Sequence, residues 1–171
     1  VMALLPEALL RRNVLPVGRL DKDTTGALLL TNDGELAHRL LAPARHVVKE
    51  YHAWVQGLLG EEDIRAFAQG LALSDFTARP AQLRIASASP EKSLGILLLS
   101  EGKFHQVKRM FASRGHEVLS LHRAAFGPLR LGELPEGAWR ELTPQETVGL
   151  RQAAALEKPS FTSQPAPLLR D

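Results

Sequence analysis

The sequence predicts an α+β domain, and three observations carry that prediction. Strand-like and helix-like segments mix along the chain without a regular βαβ alternation. Each apolar run is strand-sized, as at Ala27–Leu30 and Gly95–Leu99, so no stretch of this sequence is long enough to span a bilayer. At 171 residues and 44% apolar content the chain can bury one sizeable core, and no repeat, low-complexity block or internal linker divides it.

The elements follow in order. Leu4–Arg12 reads as a short helix, broken by Leu15-Pro16-Val17-Gly18 because Pro16 biases its predecessor away from helix. Ala27–Thr31, bounded by Gly26 and Asn32-Asp33-Gly34, fits a buried strand and a turn. Leu36, Leu40 and Leu41 then recur at helical spacing, with Asp33 as N-cap. Tyr51–Gln56 alternates as a strand. Ile64, Phe67, Ala68 and Leu71 mark an amphipathic helix over 61–71. Ala81–Ala86 and Leu94–Ser100 are strands, and Phe104–Ser113 is a helix stopped by Gly115, with Val107, Met110 and Phe111 inward. Glu117–Leu121 and Pro128–Leu131 are further strands. Thr143-Pro144-Gln145-Glu146 is a capping box that opens a helix to about Leu156. Lys158 onward, rich in proline and small polar residues, is expected to be a flexible tail, leaving 1–157 as the folded domain.

Composition narrows the chemistry. Without cysteine there is no disulfide, zinc ribbon or thiol nucleophile, and the six histidines fall in no ligand spacing, so no metal is expected. The start carries no basic flank or cleavage site, and a cytoplasmic protein is expected. Net charge is only +2, but residues 101–130 hold Lys103, Lys108, Arg109, Arg114, Arg123 and Arg130 against Glu101 and Glu117. Such a local basic face suits a polyanionic partner or, equally, a solvated helix.

In Arg19-Leu20-Asp21-Lys22-Asp23-Thr24-Thr25-Gly26 a carboxylate is flanked by cations and hydroxyls in a loop before an apolar strand. Asp21 there is a candidate nucleophile or general base, and the competing reading is a polar turn. The Asp-x-Asp-x-Thr spacing also matches phosphatases of the haloacid dehalogenase type, but the continuous strand they place before the first Asp is missing. A calcium loop fails at Asn32, which cannot supply a bidentate carboxylate. In Glu101–Met110 a turn at Gly102 leads into a helix whose first turns are basic, an arrangement suited to phosphate.

Together these segments resemble the pseudouridine synthases that act on ribosomal RNA. Gly18-Arg19-Leu20-Asp21-x-x-Thr24-x-Gly26 through Gly34 resembles their central motif, Lys49-Glu50-Tyr51 their K-x-Y motif, and Glu101–Phe111 their third motif, in the family's order. His105-Gln106-Val107-Lys108-Arg109 and Leu121-His122-Arg123 resemble the small-subunit branch. The resemblance implies a mixed, mostly antiparallel sheet flanked by helices around a central RNA-binding cleft. It implies isomerisation of a uridine in rRNA to pseudouridine without cofactor, on 16S rRNA or alternatively 23S rRNA.

In that family the Asp at the position of Asp21 attacks C1′ of the ribose or C6 of the base. The glycosidic bond breaks, the uracil turns, and C5 rejoins the ribose. Tyr51 matches the tyrosine that stacks on the uracil, and Lys108 matches the cation paired with the aspartate, with Arg109 as its fallback. Arg19 matches the side chain that fills the gap left by the flipped nucleotide. Lys103, His105, Gln106, Arg109 and Arg123 are expected to contact RNA. The partner implied is rRNA or a partly assembled ribosomal subunit, bound by a monomer. Ala27 stands where the family usually has Leu, and the family's N-terminal RNA-binding module and first strand have no counterpart in this sequence. A non-catalytic RNA-binding or ribosome-assembly fragment is therefore the reading from a second class.

Overall fold

The structure, a computed structural model, describes residues 1–155. In chain order the elements are α1 (Glu7–Leu10), β1 (Leu15–Pro16), β2 (Thr24–Gly26), β3 (Leu30–Thr31), α2 (Gly34–Leu41), β4 (Lys49–Gln56), α3 (Glu61–Gln69), β5 (Gln82–Ala88), β6 (Lys92–Leu99), α4 (Gln106–Ser113), β7 (Val118–Phe126), β8 (Leu129–Arg130) and α5 (Pro144–Ala153). One sheet runs β2-β7-β4-β6-β5, with β8 added to β7. Its pairs are antiparallel except β2 with β7, and β1 and β3 form a separate antiparallel pair. This is the α+β class expected, with the mostly antiparallel sheet. Among the described residues no helix is long and apolar enough to cross a membrane.

Two apolar clusters hold the layers. Alternate inward residues of β4 and β6 (Ala53, Val55, Leu97, Leu99) meet Phe67 of α3 and Val107, Met110 and Phe111 of α4. Phe67 and Phe111 lie tilted, 4.9 Å between centroids. The second cluster joins Val17, Leu29, Leu36, Leu40, Phe126 and Leu150, tying α2 and α5 to the end of β7. Caps fix where helices begin. Asp33 accepts from the Leu36 amide at 3.0 Å, and Thr143 and Glu146 bond reciprocally as the capping box requires.

Four sequence expectations change. The Leu4–Arg12 helix is only one turn, Glu7–Leu10, preceded by a 3-10 turn, because Pro6 is extended at ψ 151°. The Ala27–Thr31 strand shortens to Leu30–Thr31, and a separate strand precedes it. β2 ends at Gly26, the Ala27 amide bonds the Arg123 carbonyl, and the chain crosses to pair Leu30–Thr31 with β1. The strand expected to stop at Leu121 continues through Phe126, since its polar members His122 and Arg123 find partners in Thr25 and Ala27. α5 ends at Ala153 rather than near Leu156, and the boundary at 157 with the tail 158–171 lies outside the described residues.

Candidate active site

The two motif loops meet where the two clusters adjoin, around a cleft of about 280 Å³ lined by Arg19, Asp21, Thr24, Lys49, Tyr51, Lys103, His105, Gln106 and Arg123. The Asp21 loop is short and tied at both ends. Val17 donates to the Leu29 carbonyl, and Thr24 donates to the Asp21 carbonyl at 2.9 Å, closing a turn that turns residue 21 outward. A larger cavity of about 580 Å³ lies beyond this loop, lined chiefly by apolar residues such as Leu9, Val14, Leu29 and Trp139. Arg19 and Asp21 line both, but Lys49, Tyr51, Lys103, His105 and Arg123 line only the smaller one.

Asp21 is about a quarter exposed. The His105 ring approaches its Oδ1 at 3.5 Å, and the Lys108 ammonium stands 3.9 Å from Oδ2. Lys108 is closer still to Asp23, at 2.5 Å, and that hydrogen bond holds the Asp23 carboxyl below its usual range. Lys108 thus bridges two carboxylates two residues apart in the same turn, and the sequence reading missed the second. His105 is the other finding at this carboxylate. It caps α4 in the left-handed conformation (φ 48°, ψ 33°) and stacks on exposed Phe104 at 3.8 Å. Such backbone costs on the order of 1 kcal/mol for a residue with a Cβ, and clusters at functional sites.

The remaining expected residues divide. Tyr51 lies half-buried, opposite Arg123 in β7 and Leu97 in β6, and lines the cleft. Arg19 and Lys103 are exposed at its edge. Gln106, expected to contact RNA, is instead buried with its amide committed: it accepts from the Lys103 amide at 3.1 Å and donates to Glu101 at 2.7 Å. It holds the turn that aims His105 and Lys108. Arg109 points away from Asp21, ion-paired with Asp75 and lying over Phe76. The position next to the aspartate therefore falls to Lys108. The basic face expected over 101–130 also dissolves, since Arg114 pairs with Asp63 and Arg130 with Glu50.

Arg123 is 3% exposed. Its Nε donates to the Ala27 carbonyl at 2.8 Å, and one terminal nitrogen is buried with no partner among the described residues. A bulge explains its placement. β4 pairs Tyr51 with Arg123 but Glu50 with Ala125, so Ala124 is the extra residue. In a regular strand residues 123 and 126 face opposite ways. Here the Arg123 guanidinium lies 5.3 Å from the Phe126 ring centroid, and Lys49, opposite Phe126, places its ammonium 5.7 Å from the same ring. Burial and the nearby guanidinium lower the Lys49 pKa. The sequence reading gave Lys49 no role beyond its motif. The signal available was a lysine at an inward position of an alternating strand. Among the described residues no cluster of histidine and carboxylate groups could hold a metal ion.

Comparison with known proteins agrees with this architecture. The model of the RNA pseudouridylate synthase family matches residues 2–113. The chain is 41% identical over 152 residues to the ribosomal large subunit pseudouridine synthase B of Bacillus subtilis, covering 88% of this chain and 62% of that protein. It is 41% identical over 132 residues to the ribosomal small subunit pseudouridine synthase A of Vibrio vulnificus, covering 75% and 56%. A crystal structure of a pseudouridylate synthase superposes with a TM-score of 0.80 at 38% identity, covering 86% of this chain and 64% of that one. The chain thus spans between 56% and 64% of the length of these three. By family model, sequence and fold, this chain belongs to the RNA pseudouridylate synthases.

Proposed function

We propose that this chain is the catalytic portion of an rRNA pseudouridine synthase, in which Asp21 attacks the target uridine. The observation that carries the reading is the convergence of Asp21, His105 and Tyr51 on one cleft from three separate segments, with Lys108 standing beside Asp21. Asp21 is the only one of them that can act as a carboxylate nucleophile. Tyr51 stacks on the uracil, a contribution of roughly 1–3 kcal/mol per base. His105 and Lys108 hold the carboxylate in place. Arg19, at the edge, enters the space vacated by the flipped nucleotide and offsets part of the unstacking cost. Lys103 meets the RNA at the edge, and Arg123, deeper in the cleft, meets the flipped nucleotide. No cofactor is required, because the uracil is both leaving group and acceptor.

The substrate is a uridine of small-subunit 16S rRNA, free or in a partly assembled subunit, bound by a monomer in the cytoplasm. His105-Gln106-Val107-Lys108-Arg109 and Leu121-His122-Arg123 support the small-subunit target. Large-subunit 23S rRNA is the second reading, favoured by an equal 41% identity to a large-subunit enzyme. A non-catalytic RNA-binding part is the reading from another class, suggested by the share of its relatives' length that the chain spans. Tritium release from 16S or 23S rRNA labelled at uridine C5 separates all three. Release from 16S rRNA alone, lost in Asp21→Asn with RNA binding retained, is the expected result. Turnover by Asp21→Asn refutes the nucleophile.

A further inference from the structure

Lys49 and Arg123 are the most deeply buried cations of the cleft, and neither has a carboxylate partner among the described residues. Arg123 retains an unpaired terminal nitrogen, and Lys49 makes no hydrogen bond or ion pair there. Thr24 also lines the cleft, and its hydroxyl is buried without a partner among the described residues. Buried charges are ordinarily paired, so a fold that keeps two beside each other, sharing the Phe126 ring, is built for acceptors that arrive from outside.

Depth decides which acceptors. Lys103 and Arg19, which can meet phosphates, are exposed at the edge, whereas an extruded base enters furthest. Gly102, exposed, lies beside Lys49, a Cβ there standing 3.7 Å from the ammonium, at ordinary contact distance. Uracil presents acceptor O2, donor N3–H and acceptor O4. Ammonium and guanidinium can only donate, while a threonine hydroxyl can accept.

Resting on the synthase reading above, we propose that Lys49, Arg123 and Thr24 form the floor of the site, reading the carbonyls of uracil and carrying the negative charge of the departing base. As the Asp21 carboxylate bonds to C1′, the N1–C1′ bond breaks and its electron pair leaves on N1, spreading onto O2 and O4. Both cations therefore bind the leaving group more strongly than the intact base, the condition for raising the rate. C5 then attacks C1′ and expels the Asp21 carboxylate, C5 loses its proton, and N1 takes one up. Cytosine is rejected because its N4 amine turns a donor toward a donor-only cation.

Two measurements on the whole chain test this. In carbon–proton spectra, uridine 5′-monophosphate is expected to shift the Lys49 Cε and Arg123 Cδ signals, while cytidine 5′-monophosphate and ribose 5-phosphate leave them in place. Equal shifts with all three make the floor a phosphate site and overturn the proposal, as does no shift with any. In single-turnover tritium release, Lys49→Met and Arg123→Lys are expected to lose about a hundredfold in rate with RNA affinity within about twofold. A parallel loss of affinity and of its salt dependence overturns the proposal. If a variant fails to fold, the spectra of the unaltered chain still decide. Uridine-selective shifts without tritium release by the unaltered chain refute the isomerase and support the floor as a uracil reader.

Discussion

Gly26→Ala tests how the Asp21 loop is welded to the sheet. A Cβ at position 26 would stand 2.2 Å from the Arg123 carbonyl oxygen and 2.5 Å from its amide nitrogen, so β2 and β7 must separate by about an ångström. The φ of 121° adds backbone strain on the order of 1 kcal/mol for any side chain. Separation weakens two bonds to Arg123, the Ala27 amide to its carbonyl at 2.7 Å and its own Nε to the Ala27 carbonyl at 2.8 Å. Leaving a buried charged donor unsatisfied costs about 1–3 kcal/mol more. The total is about 2–4 kcal/mol, read as a fall in the urea midpoint at unchanged slope. Gly132→Ala is the control, since Gly132 has φ 60° but nothing within 4 Å of its Cβ, and it should lose only about 1 kcal/mol. Equal losses in the two variants would refute the close-approach argument.

Arg19→Ala should reduce turnover more than RNA affinity in single-turnover and filter-binding assays, because Arg19 is exposed at the cleft edge; equal losses argue against insertion. Phe111→Ala, removing a fully buried ring packed on Phe67, should cost about 3–5 kcal/mol in urea unfolding. Glu50 is held at about 2, below the usual 4.5, by hydrogen bonds from Arg130 and then His52. Its folded pKa is depressed, so its contribution is complete above pH 4.5 and disappears as pH falls toward 2. Glu50→Gln should therefore lower stability at neutral pH and flatten the acid limb in that window; an unchanged acid limb contradicts the assignment.

What could be read from the sequence was local. Capping residues announce themselves because a cap is made within four residues, and Asp33 and Thr143 form the bonds their spacing predicts. The helical stripe Val107, Met110 and Phe111 is buried because period 3.6 places those three on one face. Asp21, Tyr51 and Lys108 could be named from motifs because each motif is contiguous.

Tertiary structure decided what depends on partners far along the chain. How much of Ala27–Thr31 is strand depends on Arg123 and on Leu15–Pro16, and no local pattern contains them. The burial of Gln106 could not be foreseen, because its commitments, to Glu101 and Lys103, exist only once the turn is folded. Arg109 and Lys108 are neighbours in sequence and diverge because successive residues of a helix point about 100° apart, one to Asp75 and one to the aspartate loop. The same holds for the cleft floor. The bulge at Ala124 reverses the facing of the strand beyond it, so Arg123 and Lys49 come to one ring that alternation alone would set on the other side. By itself the sequence determined the fold class, the family and the nucleophile candidate. Which cations stand beside that carboxylate, and which lie buried without a carboxylate partner among the described residues, followed from long-range register.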